Sequence, residues 1–180
     1  MFQGRKAMAM GLMGVSLLLA LPALSQAVAK IGTLEANIDG TAYKGETLAV
    51  PGEGTATATF QAFGPMTKVS IQALDPQSDS RMKNVLTLEV MFKGDPAANN
   101  ITEQTVSWWP EGMRDPFYIS EGSSAEVVIS INEISLEDGA FAVGRFSATL
   151  CRKADFFAEA DAGDCRRVEG SFDTLLKHAG

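Results

Sequence analysis

The sequence predicts an all-β chain, a single antiparallel β-sandwich domain behind a cleaved signal peptide, and three observations carry that expectation. Apolar and polar residues alternate with period two along most of the chain, as strands with one buried face require. Turn-forming pairs (Asp39-Gly40, Gly64-Pro65 and Asp138-Gly139) punctuate those runs at spacings typical of sandwiches and barrels. No stretch shows a helical period of comparable length, and the one modest helix candidate is Asp155 to Asp161.

The N-terminus reads as an export signal. Arg5 and Lys6 precede an apolar stretch from Ala7 to Leu21, Pro22 breaks it, and small residues follow. Ser25-Gln26-Ala27 and Ala27-Val28-Ala29 both offer the small-x-small pattern a signal peptidase reads, which places the cut after Ala27 or Ala29. A retained anchor would need roughly 20 uninterrupted apolar residues, and Gly11, Gly14, Ser16 and Pro22 interrupt this one. No cysteine lies near the cut to accept a lipid. The expectation is a leader over residues 1–29 and one domain over 30–180, released into the periplasm or the medium with no membrane span in the mature chain.

Along the domain, Leu34, Ala36 and Ile38 share one face of a first strand, opposite Thr33, Glu35 and Asn37. Asp39-Gly40 turns the chain, and Glu46 to Val50 reads as a short strand stopped by Pro51. Ala56, Ala58, Phe60 and Ala62 alternate with polar residues before the Gly64-Pro65 turn, and Val69, Ile71 and Ala73 carry the next strand. Beyond a polar loop from Asp75 to Arg81, Leu86, Leu88, Val90 and Phe92 line one face. Lys93 to Asn100 is a loop rich in turn formers. The segment from Ile101 to Ser124 is the least regular, and order returns with Val127, Ile129 and Ile131.

Two cysteines in an exported chain predict a disulfide between Cys151 and Cys165, too far apart for a redox-active C-x-x-C pair. Placing them opposite each other on antiparallel strands sets Thr149 against Arg167, Ser147 against Glu169 and Arg145 against Ser171. The other face then pairs Ala148 with Val168, Phe146 with Gly170 and Gly144 with Phe172, so each phenylalanine covers a glycine. A slip of one residue would mix polar and apolar on both faces.

Ile38-Asp39-Gly40-x-x-Tyr43, Gly144-Arg145-Phe146-Ser147-Ala148-x-Leu150 and Val168-Glu169-Gly170-Ser171-Phe172 together resemble uncharacterised exported bacterial β-sandwich proteins. Those often open with an I-D-G-x-x-[WY] turn and close with a G-x-F-x-A-x-L hairpin. The likeness covers the two ends of the chain, implies the fold and carries no catalytic residue. Many such proteins are lipoproteins, whereas this chain lacks the lipidation cysteine.

Composition narrows the chemistry. The formal net charge is −7, and loss of the leader makes it two units more negative, which disfavours nucleic acid and anionic lipid as partners. The single histidine, His178, stands in a C-terminal tail expected to fray. With both cysteines paired, no nucleophile-base or Cys/His zinc constellation is visible, and no catalytic residue, metal or cofactor is expected. Pro51-Gly52-Glu53-Gly54-Thr55 has an acidic residue and no lysine, so it reads as a turn and not as a phosphate loop. Glu159, Asp161 and Asp164, like Asp75 and Asp79, cluster without EF-hand spacing and read as solvated acidic loops.

Aromatic residues give the remaining candidates. Trp108-Trp109-Pro110 is followed by Phe117 and Tyr118, and neighbouring strand residues face opposite ways, so both tryptophans cannot enter one core. Trp108, Trp109, Phe117 and Tyr118 are the candidate ligand-binding set, with core packing the competing expectation. Phe156-Phe157 inside the disulfide loop poses the same choice. The function expected is a non-catalytic envelope protein that binds an envelope protein or glycan. The alternative is a polysaccharide-acting enzyme or accessory module with carboxylates beside Trp108 and Trp109.

Overall fold

The structure, a computed structural model, describes residues 27–50, 54–114, 116–137 and 139–179. The expected leader, up to residue 26, and the expected turn at Pro51 to Glu53 fall outside them. Among the described residues, twelve strands carry the fold: β1 (Ala29–Ile38), β2 (Thr41–Val50), β3 (Thr55–Ala56), β4 (Ala58–Phe63), β5 (Met66–Ala73), β6 (Val85–Lys93), β7 (Ile101–Trp109), β8 (Phe117–Ile119), β9 (Val128–Ser135), β10 (Phe141–Lys153), β11 (Asp161–Leu175) and β12 (Lys177–His178). The all-β expectation holds, and a single 3₁₀ turn at Pro96–Ala98 is the one helical element among the described residues.

The strands form one continuous ladder in the order β12-β4-β5-β6-β7-β8-β10-β11-β1-β2-β3, with β9 laid beside β10. Val69, Ile71 and Leu88 from one arm and Leu34, Phe146 and Val168 from the other belong to a single buried cluster, so the sheet folds over on itself. The two sheets expected of a sandwich are therefore joined, and β8 is the corner, pairing with β7 through Ser107 and Trp108 and with β10 through Cys151 to Lys153. The arms meet again where Glu46 and Leu74 exchange backbone hydrogen bonds, both 2.9 Å.

Local chemistry explains the main turns. Asp39 and Gly40 both have positive φ, 51° and 86°, as a two-residue hairpin turn of this twist demands, and the Asn37 side chain accepts from the Gly40 amide at 2.6 Å. β2 is twice the length its sequence predicts, because its inner face is Tyr43, Gly45, Thr47 and Ala49, where small and polar residues hide the alternation. Gly45 is required there: a Cβ would stand 2.7 Å from that of Ala73. Thr47 is satisfied by a buried 2.6 Å hydroxyl pair with Thr174.

All six strand pairs expected from the cysteines are present between β10 and β11, and the Cys151–Cys165 disulfide closes the register. Phe146, Ala148, Val168 and Phe172 are buried on the face opposite Arg145, Arg167 and Ser171. Phe172 lies over Gly144, whose Cβ would be 2.6 Å from the ring. Gly170 needs a different account: Ala36 on β1 would be 2.9 Å from its Cβ, so the neighbouring strand demands the glycine.

Three further expectations fail. Ile101–Trp109 is a regular strand despite its polar composition, because it pairs with β6 over nearly its whole length. Asp155 to Asp161 is no helix; the Asp155 carboxylate accepts from the amides of Phe157 and Ala158 and folds a tight turn. The tail is held, not frayed: β12 adds in parallel to β4, Leu176 is buried, and the His178 ring meets Phe60 edge-on at 5.3 Å.

Candidate functional site at the hairpin end

One end of the folded sheet gathers the β1–β2 turn, the start of β6, the end of β7, β8 and the β10–β11 hairpin. Alternation sorts the four aromatic candidates into two pairs on opposite faces. Trp109 stacks on Phe117 at 4.2 Å with planes 10° apart, and together with Val85 they form a small second core. Trp109 is 6% exposed and Phe117 is buried beside it. Trp108 and Tyr118 are directly opposed on β7 and β8, with rings 5.4 Å apart, and pack against the end of the main core.

Asn84 ties the inner pair to its surroundings. Its Oδ1 accepts from the Trp108 indole N–H at 2.8 Å, and its Nδ2 donates to Asp75 Oδ2 at 2.8 Å. Its carbonyl and that of Ala73 share the single phenolic proton of Tyr43, at 3.0 and 2.8 Å. Its φ is +52°, a left-handed conformation that asparagine tolerates better than most residues. Burial pushes the Tyr43 phenol well above its ordinary 10.0, because the phenolate would be stranded away from water. Sequence reasoning did not single out Asn84, and its only local signal is an asparagine directly before an apolar run.

Beside this hub lies a cavity of about 250 Å³ lined by Trp108, Tyr43, Asn84, Thr41, Asp39 and Arg166, among others. The Arg166 guanidinium sits 5.3 Å above the Tyr118 ring, 3.0 Å from Asp164 and 3.7 Å from Asp39. Tyr118 also donates to Asp164, and Arg152 stands 4.0 Å from the same carboxylate. These ion pairs are partly solvated, so each contributes little by itself. Among the described residues that line this cavity, Asp39 carries a carboxylate.

The acidic loops are engaged locally. Asp75 also caps Gln77, Asp79 pairs with Lys83, and Asp161 accepts from the Gly163 amide. Among the described residues, no three His, Cys, Asp or Glu side chains are arranged to hold a metal ion.

Phe156 and Phe157 occupy the tip of the disulfide-stapled hairpin. Phe156 is 63% exposed and leans on the outer aromatic pair, 5.1 Å from Phe117 and 5.6 Å from Trp109. Phe157 is 99% exposed. Fold and site together define a disulfide-stapled all-β protein with an aromatic hairpin end. Compared with family models, curated proteins and solved structures, the chain matches none of them.

Proposed function

We propose that the chain is an exported, non-catalytic protein of the cell envelope, periplasmic or released to the medium, that works by binding an envelope protein or glycan through its hairpin end. The observation that carries this reading is the hairpin tip. Phe156 and Phe157 are presented to solvent on a loop braced by the Cys151–Cys165 bond, while the aromatic and acidic side chains behind them are committed to internal partners. Disulfides persist in oxidising compartments, which agrees with export. Among the described residues no helix is long and apolar enough to cross a membrane.

Sedimentation with the isolated envelope tests both halves of the reading. Mature protein should pellet with the envelope fraction and release no reducing sugar from it. Sugar release that disappears in Asp39→Asn would replace this reading with the polysaccharide-acting alternative.

A further inference from the structure

We infer that Phe157 is the anchor of a protein–protein contact, and that its partner presents an apolar pocket rimmed by basic side chains. The inference rests on the binding function proposed above and names the partner's chemistry. A phenylalanine 99% exposed keeps nearly its whole apolar area available for burial by a partner, and large aromatics are the residues that dominate interface energetics once buried. The rest of the hairpin holds this ring outward. The disulfide ties the strands below it, Asp155 Oδ1 accepts from the Phe157 and Ala158 amides at 2.8 and 2.9 Å, and Lys153 Nζ donates to the Phe156 carbonyl at 3.2 Å. Phe156 leans on Phe117 and Trp109 and keeps part of its ring against them, so Phe157 is the more exposed of the two. A loop ordered before binding has less entropy to lose on binding.

Charge selects among occupants. Asp155, Glu159 and Asp161 are exposed around the tip, on a chain of net charge −7. Carboxylates beside the ring repel anionic lipid and acidic glycan, and they complement Lys or Arg at a pocket rim. A single ring at a convex tip fits a concave receptor better than it stacks on a sugar. The turn at residues 155–158 also lacks the extended backbone that a protease cleft takes up.

A photoreactive benzophenone side chain placed at position 157 of the full chain, expressed in its own cells, identifies what touches the tip. The protein recovered is then purified and its affinity measured for wild type, Phe157→Ala and Glu159→Lys; both residues are exposed. Phe157→Ala should weaken binding at least about thirtyfold, as loss of a hot-spot aromatic does. Glu159→Lys should weaken it severalfold in low salt and much less in high salt. Crosslinks solely to lipid, to glycan or to a second copy of this chain would overturn the inference, as would a Phe157→Ala affinity within twofold of wild type. If Phe157→Ala still pellets normally with the envelope, the binding function stands and this anchor falls; if wild type does not pellet, both fall.

Discussion

Replacing Asn84 tests how the hairpin end is held together. Asn84→Ala removes the 2.8 Å bond from the Trp108 indole and the 2.8 Å bond to the Asp75 carboxylate. A neutral hydrogen bond is worth about 1 kcal/mol and one to a charged group about 1.5 to 3 kcal/mol, the lower end applying to this half-buried site. Alanine must also adopt a φ near +52°, which costs about 1 kcal/mol more. The expected loss is about 3 to 4 kcal/mol. Asn84→Gly loses the same bonds without the backbone strain and should cost about 1 kcal/mol less than alanine. Urea unfolding followed by tryptophan fluorescence reads both as midpoint shifts at constant slope. An alanine cost below about 1 kcal/mol, or glycine costing as much as alanine, would refute this reasoning.

Three further outcomes are expected. The Tyr43 phenol is raised in the fold, so the folded state keeps its proton where the unfolded chain gives it up; that contribution is whole below pH 10.0 and is lost as pH rises beyond it. Urea midpoints should therefore fall above pH 10 in wild type and fall less in Tyr43→Phe; parallel alkaline slopes would contradict this. Trp109→Ala should cost about 3 to 5 kcal/mol, as core aromatics do, whereas Phe156→Ala, at a side chain 63% exposed, should cost under about 1.5 kcal/mol; thermal unfolding compares them. Reduction of Cys151–Cys165 should lower stability by about 3 kcal/mol and leave the β-sheet circular dichroism intact, because the bridge closes a short loop; collapse of that signal on reduction would show that the bond does more than staple.

How legible each part was depended on whether the cause was local. The β10–β11 register could be read from the sequence because a disulfide fixes the pairing and alternating faces punish any slip. The opposite fates of Trp108 and Trp109 follow from the same period of two. Cys151 keeps its register yet is buried, unlike Arg145 on the same face, and it stands opposite Ile119 of β8, a tertiary pairing with no local signature. β2 and β7 were under-read for a related reason: Gly45, Thr47 and the polar residues of β7 take their places from the strands beside them. The Asp155 turn reads as a helix in the sequence because an aspartate ahead of an apolar pair suits both a helix start and a turn that bonds its own backbone. Asn84 was missed because a left-handed hub is defined by its distant partners, Tyr43, Asp75 and Trp108.

Export and oxidation, the two halves of the proposed history of the chain, are tested at once by the intact mass of the protein from an extracytoplasmic fraction. β1 is paired from Ala29 onward, opposite Ala49, so a cut after Ala27 leaves the ladder whole, and a cut after Ala29 removes one pair. The mass should match a chain beginning at Val28 or Lys30, less two hydrogens for the Cys151–Cys165 bond. A chain still carrying Met1, found in the cytoplasm or the membrane with two thiols, would contradict the account.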